Sequence, residues 1–190
     1  MSDPPVPSDP APRPESVDHV FEGPLFRVEV QRWPGGVRRD IVRHLNACGA
    51  VVFVDGSPDR TVLLVRQLRE AVGRSLLEIP AGVYDQAGEP PDAAIRREIV
   101  EETGHRVVRL EPLGHVYSSP GFADERIDLF VAWASPAGPP APDDGETLEL
   151  VRMPFDEALA AVDRGEIVDA KSVAALLLAD RRGRGAGRGG

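Results

Sequence analysis

Gly82-Val-Tyr-Asp-Gln-Ala-Gly-Glu89, followed by Arg97-Glu98-Ile-Val-Glu101-Glu102-Thr-Gly104, is the stretch on which the fold turns. It predicts a glycine-containing loop and then a short helix carrying three glutamates. On a helix, Glu98 and Glu102 stack on one face, with about 5–6 Å between Cβ atoms. Glu101 joins the edge of that face. Three carboxylates this close repel one another and weaken a bare helix. A divalent cation reverses that sign, because hard cations such as Mg2+ take carboxylate and carbonyl oxygens, waters and substrate phosphates. The residues alone therefore propose a metal site.

The helix is predicted over Asp92 to Thr103. Pro90 and Pro91 precede it and Gly104 ends it, as helix punctuation requires. Ile95 and Ile99 form its apolar stripe. At 100° per residue, Glu98 and Glu102 flank that stripe and Arg97 points away. The carboxylates thus fall at the boundary between core and solvent, which suits a cleft.

Around this helix the chain reads as mixed strands. Leu25 to Trp33 and Val37 to His44, joined by Pro34-Gly-Gly36, form a hairpin. Cys48 to Val54, Thr61 to Gln67, Ser75 to Ile79, Val107 to Tyr117, Arg126 to Ala134 and Leu148 to Arg152 are further strands. Phe155 to Arg164 and Ala170 to Asp180 are amphipathic helices. This pattern implies α+β or an α/β/α sandwich rather than a regular βαβ array. The expected organisation is a disordered tail over residues 1–16, a strand region over 17–45, a main domain over 46–180 and a flexible Arg/Gly tail over 181–190.

Bulk properties narrow the function classes. A chain of 190 residues fits one domain with at most a small appendage. With 22 basic and 31 acidic residues, the net charge of −9 argues against a general nucleic-acid surface. No apolar run is long enough to span a bilayer, so no membrane partner is expected. The N-terminal stretch lacks the basic segment and apolar core of a signal peptide. The single Cys48 excludes an intrachain disulfide. A cytoplasmic protein is the expectation. If such an acidic chain binds an anion, metal and a few arginines must neutralise it locally.

The glutamate motif resembles the Nudix box through Gly82, Glu89, Arg97, Glu98, Ile99, Glu101, Glu102 and Gly104. Two departures stand out. One extra residue separates Gly82 from Glu89, which implies a bulge in the loop. His105 replaces a usual apolar residue, which should cost some packing. Flanking segments resemble the ADP-ribose pyrophosphatase subgroup: Val65-Arg-Gln-Leu-Arg69, Leu77-Glu-Ile-Pro-Ala-Gly82, Pro120-Gly-Phe-Ala-Asp-Glu125, Asp143-Asp-Gly-Glu-Thr-Leu-Glu149, and Arg164-Gly-Glu-Ile-Val-Asp169 with Ser172. The resemblance implies a Nudix fold, an α/β/α sandwich with a mixed sheet, preceded by a small antiparallel strand region.

It also implies an activity: cleavage of ADP-ribose by water to AMP and ribose 5-phosphate. Mg2+, with Mn2+ as an alternative, would lie among Glu98, Glu101, Glu102 and the Ala81 carbonyl. Glu101 and Glu102 are thereby part of the catalytic set. Glu89 and Arg97 are expected to pair and to brace the loop, with Gly82 and Gly104 as structural positions. Glu146, on an acidic loop, matches the general-base position, with Glu149 and Glu125 as rivals. Arg69 matches a phosphate-binding arginine, whose planar fork suits a diphosphate. Phe26 and Arg38 resemble adenine-stacking positions, Trp33 less so, and Gly121 and Phe122 would line the terminal-ribose pocket. The family resemblance further implies a homodimer in which the N-terminal strand region crosses to the partner. Two other readings stay open: hydrolysis of another nucleoside diphosphate sugar, and a catalytically silent ADP-ribose sensor. The intact glutamates argue against the sensor.

Overall fold

The computed structural model describes residues 12–84, 88–141 and 148–186. The chain divides into two compact units. One contains the residues up to Leu45 together with Tyr117–Arg126, and the other contains Asn46–Val116 and the residues from Ile127 onward. The return of Tyr117–Arg126 to the first unit is not visible in any local sequence pattern.

The first unit is built on three antiparallel strands, β1 (Ser16–Glu22), β2 (Phe26–Trp33) and β3 (Val37–His44), in that spatial order. β2 and β3 are the predicted hairpin. Their turn places Gly35 and Gly36 at φ 81° and 77°, where a side chain would be strained. β1 lies in a stretch whose first residue was assigned to a disordered tail. All its residues are exposed, so no buried alternation marks it in the sequence.

In the second unit the strands are β4 (Ala47–Val54), β5 (Thr61–Arg69), β6 (Arg74–Glu78), β7 (Ala81–Val83), β8 (His105–Tyr117), β9 (Arg126–Pro136) and β10 (Leu148–Pro154). The helices are α1 (Pro91–Thr103), α2 (Phe155–Asp163) and α3 (Ala170–Ala186). The sheet runs β10-β5-β4-β9-β8, with β6 on β5 and β7 on β4. β4 pairs with β9 in parallel and with β5 and β7 antiparallel, so the sheet is mixed.

Its centre is apolar on both faces. Along β4, Ala47, Val51 and Phe53 join one core, while Cys48, Ala50 and Val52 join the other. β9 divides likewise, with Leu129 and Val131 on one side and Phe130 and Ala132 on the other. This alternation is the period of a strand buried on both sides. Phe155, Ala158 and Ala161 of α2 and Ala175, Leu176 and Ala179 of α3 cover the first face. Ala94, Ile95 and Ile99 of α1 cover the second. The unit is therefore an α/β/α sandwich. Burying Ile95 and Ile99 completely contributes about 1.5–3 kcal/mol each.

Three local expectations change. β7 was not anticipated, because three residues are too few to show a period. α3 continues through Ala186 instead of ending at Asp180, and Arg182 Nη1 donates to the Pro112 carbonyl at 2.6 Å. His105 is buried but satisfied rather than merely tolerated. Its Nδ1 lies 2.7 Å from the Thr103 carbonyl, which only accepts, so Nδ1 carries the proton and Nε2 faces Arg152 Nη2 at 3.4 Å. The expected bulge between Gly82 and Glu89 falls on a loop whose residues 85–87 lie outside the described residues.

Gly104 ends α1 at φ 67°, and its N–H bonds the Val100 carbonyl. Its own carbonyl accepts from Ala137 and Gly138 at 2.8 and 3.1 Å, and a Cβ here would overlap the Gly138 carbonyl oxygen. Gly104→Ala therefore incurs left-handed strain and a backbone clash together. Urea unfolding should show a loss of at least about 2 kcal/mol; a loss below about 0.5 kcal/mol would contradict this geometry.

Candidate active site

Residues Ile79 to Gly82 form a ribbon pressed against β4. The Pro80 carbonyl accepts from Ala50 N–H at 3.0 Å. Gly49 permits this approach, since a Cβ there would meet Ile79 Cδ1 at 3.0 Å and Ala81 Cβ at 3.4 Å. On the other side the ribbon meets α1. Ala81 N–H donates to Glu102 Oε2 at 3.1 Å, and Glu102 is only 5% exposed. A Cβ at position 82 would overlap the carboxylate of Glu98. Gly82 thus leaves room for the Glu98 carboxylate directly over the ribbon, and its φ is not in the left-handed range. Cys48 Sγ lies 3.6 Å from the Gly82 carbonyl. Burial, reinforced by the negative charge of Glu98, pushes this thiol up to about 12.

Arg97 does not point away from the carboxylates. Nη1 lies 2.8 Å from Glu98 and 3.0 Å from Glu101, and Nη2 lies 3.3 Å from Glu89. Helical periodicity gives the direction of a Cα–Cβ bond. A long, flexible arginine curls from that direction to its neighbour Glu98, to Glu101 one turn on and to Glu89 before the helix. The pair with Glu89 ties the end of the box loop to the helix.

These side chains suit a hard divalent cation. Glu98, Glu101 and Glu102 offer only oxygen donors, and the Arg97 guanidinium already serves as a positive charge on which Glu98 and Glu101 converge. Among the described residues, no group of three His, Cys, Asp or Glu side chains encloses an ion by itself. Such closure is not needed for Mg2+, which usually keeps several waters and takes one or two carboxylates plus substrate phosphates.

Arg69, at the end of β5, forms a two-point ion pair with Glu78 of β6, Nε to Oε1 at 2.8 Å and Nη2 to Oε2 at 2.7 Å. Glu78 is fully buried. Burial pushes its carboxyl up, but Arg69 and Lys171 outweigh that and hold it below the usual carboxylate range. Arg69 is raised in turn, chiefly by its bonds to Glu78. Two of the five guanidinium N–H groups serve this pair. Lys171 also contacts Glu78, and it meets Asp169 at 3.0 Å. Glu78, Asp169 and Ser172 lie in the motif segments of the sequence, but Lys171 stands out by no motif. The available signal was its rarity: it is the only lysine among the 22 Lys and Arg residues.

The first unit carries the other candidates. Phe26 is half-exposed and stacks on His44 with ring centroids 6.1 Å apart. Arg38 is exposed and pairs with Asp40 at 2.9 Å. Trp33 donates to Gln31 at 3.2 Å. Gly121 and Phe122 lie in a turn opened by Ser119, with Phe122 54% exposed and its carbonyl accepting from Val42 N–H at 2.7 Å. Glu29 is buried beneath Gln31, Arg43 and Arg27. Burial pushes its carboxyl up, and these hydrogen bonds bring it below the usual range. Of the base candidates, Glu146 lies outside the described residues. Glu149 sits on β10 beside Arg66 at 3.3 Å, and Glu125 faces His44 Nδ1 at 3.6 Å.

Comparison with known proteins fits this geometry. The NUDIX domain model matches residues 43–176. The chain is 34% identical over 165 residues to a methanol dehydrogenase activator of Bacillus methanolicus, covering 84% of this chain and 87% of that protein. It is 34% identical over 168 residues to an ADP-ribose pyrophosphatase of Mycobacterium tuberculosis, covering 85% and 80%. A GDP-mannose pyrophosphatase of Cronobacter sakazakii is 37% identical over 158 residues, covering 76% and 82%. A crystal structure of an ADP compounds hydrolase superposes with a TM-score of 0.76 at 26% identity, covering 96% of this chain and 100% of that one. No helix among the described residues is long and apolar enough to cross a membrane. From its glutamate helix, its sandwich and these likenesses, the chain belongs to the Nudix family of hydrolases and groups there with the ADP-ribose pyrophosphatases.

Proposed function

We propose that this hydrolase cleaves the diphosphate of ADP-ribose to AMP and ribose 5-phosphate with Mg2+ as its cofactor and Mn2+ as a substitute. The gathering of Glu98 and Glu101 about Arg97, with Glu102 seated on the Ala81 N–H beside them, carries this reading. Hydrolysis breaks one P–O–P linkage. The oxygen of water ends on one phosphate, and the bridging oxygen leaves on the other.

Glu98, Glu101, Glu102 and the Ala81 carbonyl would hold the metal. When bound, it polarises phosphoryl oxygens and lowers the pKa of water. The remaining work falls to the chain's own groups. The Arg69 fork orients the diphosphate, while Phe26 and Arg38 hold the adenine and Gly121 and Phe122 bound the terminal ribose. Glu146 takes the proton from the attacking water. A homodimer in the cytoplasm completes this reading. The GDP-mannose pyrophosphatase relative supports a second one, in which another nucleoside diphosphate sugar is the substrate. A panel of ADP-ribose, ADP-glucose, GDP-mannose and NADH with product analysis separates the two. Release of AMP and ribose 5-phosphate as the preferred products supports the first, and preferred release of GMP overturns it.

Glu102→Gln should reduce kcat at least about a hundredfold, since even outer partners of metal ligands are worth about 10–100-fold. Its Tm should change little, and undiminished turnover would remove Glu102 from the metal set. Glu146→Gln should lower kcat more than about tenfold, because general base catalysis commonly contributes 10²-fold or more. Its KM should stay near the wild-type value. Full activity in that variant would pass the base role to Glu149 or Glu125.

A further inference from the structure

The network behind Arg69 reaches further than a brace for one side chain. Asp169 caps α3, accepting from Ser172 N–H at 3.0 Å and from Ser172 Oγ at 2.5 Å. Ser172 is fully buried, and its Oγ accepts from Ile79 N–H at 2.9 Å. Lys171 spans the two carboxylates, Glu78 on β6 and Asp169 at the cap. Its side chain is 11% exposed, against 39% for Arg69. The start of α3 therefore grips two neighbouring residues, Glu78 and Ile79. One orients the Arg69 fork, and the other begins the ribbon whose Ala81 and Gly82 seat Glu102 and Glu98.

We propose that Lys171, with Asp169 and Ser172, is the positioning device of the active site, setting the Arg69 fork through Glu78 and the carboxylate seat through Ile79. These three act through Glu78 and Ile79 rather than on the reacting atoms. Position 171 holds the chain's single lysine. Two carboxylates approach this cation from different elements. A compact ammonium with rotatable donors meets both from a side chain that is 11% exposed.

The proposal rests on the functional reading above for the role of Arg69, but its test need not. Lys171→Met and Ser172→Ala, in the full chain, are compared with wild type in two measurements. Mn2+ binding without substrate is followed by electron paramagnetic resonance, and kcat and KM are measured for ADP-ribose. Ser172→Ala should weaken Mn2+ about fivefold or more. Lys171→Met should raise KM about tenfold with a smaller change in kcat, because a misplaced Arg69 loses binding common to ground and transition states. Far-UV circular dichroism and Tm establish that the variants are folded. If Lys171→Met does not fold, Ser172→Ala, which keeps every charge, decides alone. Folded variants with Mn2+ affinity and KM within twofold of wild type overturn the proposal. Weakened Mn2+ binding in a protein that does not hydrolyse ADP-ribose supports the positioning and rejects only the substrate.

Discussion

Crowded negative charge at the edge of α1 is the constraint around which the second unit is built. Two like charges about 4 Å apart repel by about 4 kcal/mol at an effective dielectric near 20. Glu89, Glu98 and Glu101 share one guanidinium, that of Arg97, while Glu102 is compensated by the Ala81 N–H. Among the described residues, one guanidinium thus meets three carboxylates. Burial of the adjoining apolar stripe, Ala94, Ile95 and Ile99, against the sheet offsets this repulsion. Apolar burial holds the acids together against their repulsion, and the gathering of carboxylate oxygens is what suits the place to a divalent ion.

That burial depends on β4. A strand with apolar side chains on both faces can support α1 on one side and α2 with α3 on the other. Gly49 lets the Ile79–Gly82 ribbon close onto β4, and Gly82 lets Glu98 close onto the ribbon. The two glycines act by what they lack, in series, and neither uses the left-handed backbone freedom of glycine. The cap of α3 completes the clamp from the other side of the sheet through Ser172. Each layer of the sandwich thus contributes one contact to a short ribbon, which explains why a fold of this size is needed to place a few carboxylates.

Much of this is legible in the sequence, and the exceptions have physical reasons. The bounds of α1 follow from Pro91 and Gly104, whose backbone preferences are local. Doubly buried β4 and β9 reveal themselves as apolar runs. β1 does not, because every residue in it is exposed, and β7 is too short to show any pattern. The spacing of Glu98, Glu101 and Glu102 places their Cβ atoms correctly, but the direction of Arg97 depends on a side chain that follows charge rather than periodicity. The link from Lys171 to Glu78 spans 93 positions, and no local rule sees so far. The extension of α3 past Asp180 runs against the glycines and arginines there. Arg182 anchors it with a bond to the Pro112 carbonyl, again a distant partner.

Lys171 and Arg69 bring positive charge to the inner side of the site, yet the cluster they form is neutral. Glu78 and Asp169 cancel them one for one. Arg69 can therefore give an incoming diphosphate direction and hydrogen bonds but little net attraction. On a chain of net charge −9, that attraction must come from elsewhere. Among the described residues, Arg97 faces Glu89, Glu98 and Glu101 together, and a divalent ion beside them would supply that attraction. In the proposed reading, two tasks are therefore divided between the metal and the Arg69 cluster, and the metal takes the first. It supplies the charge that draws the diphosphate in, and the neutral Arg69 cluster supplies the geometry that selects how the diphosphate lies. An acidic protein can in this way act on an acidic substrate while keeping its affinity dependent on a divalent cation.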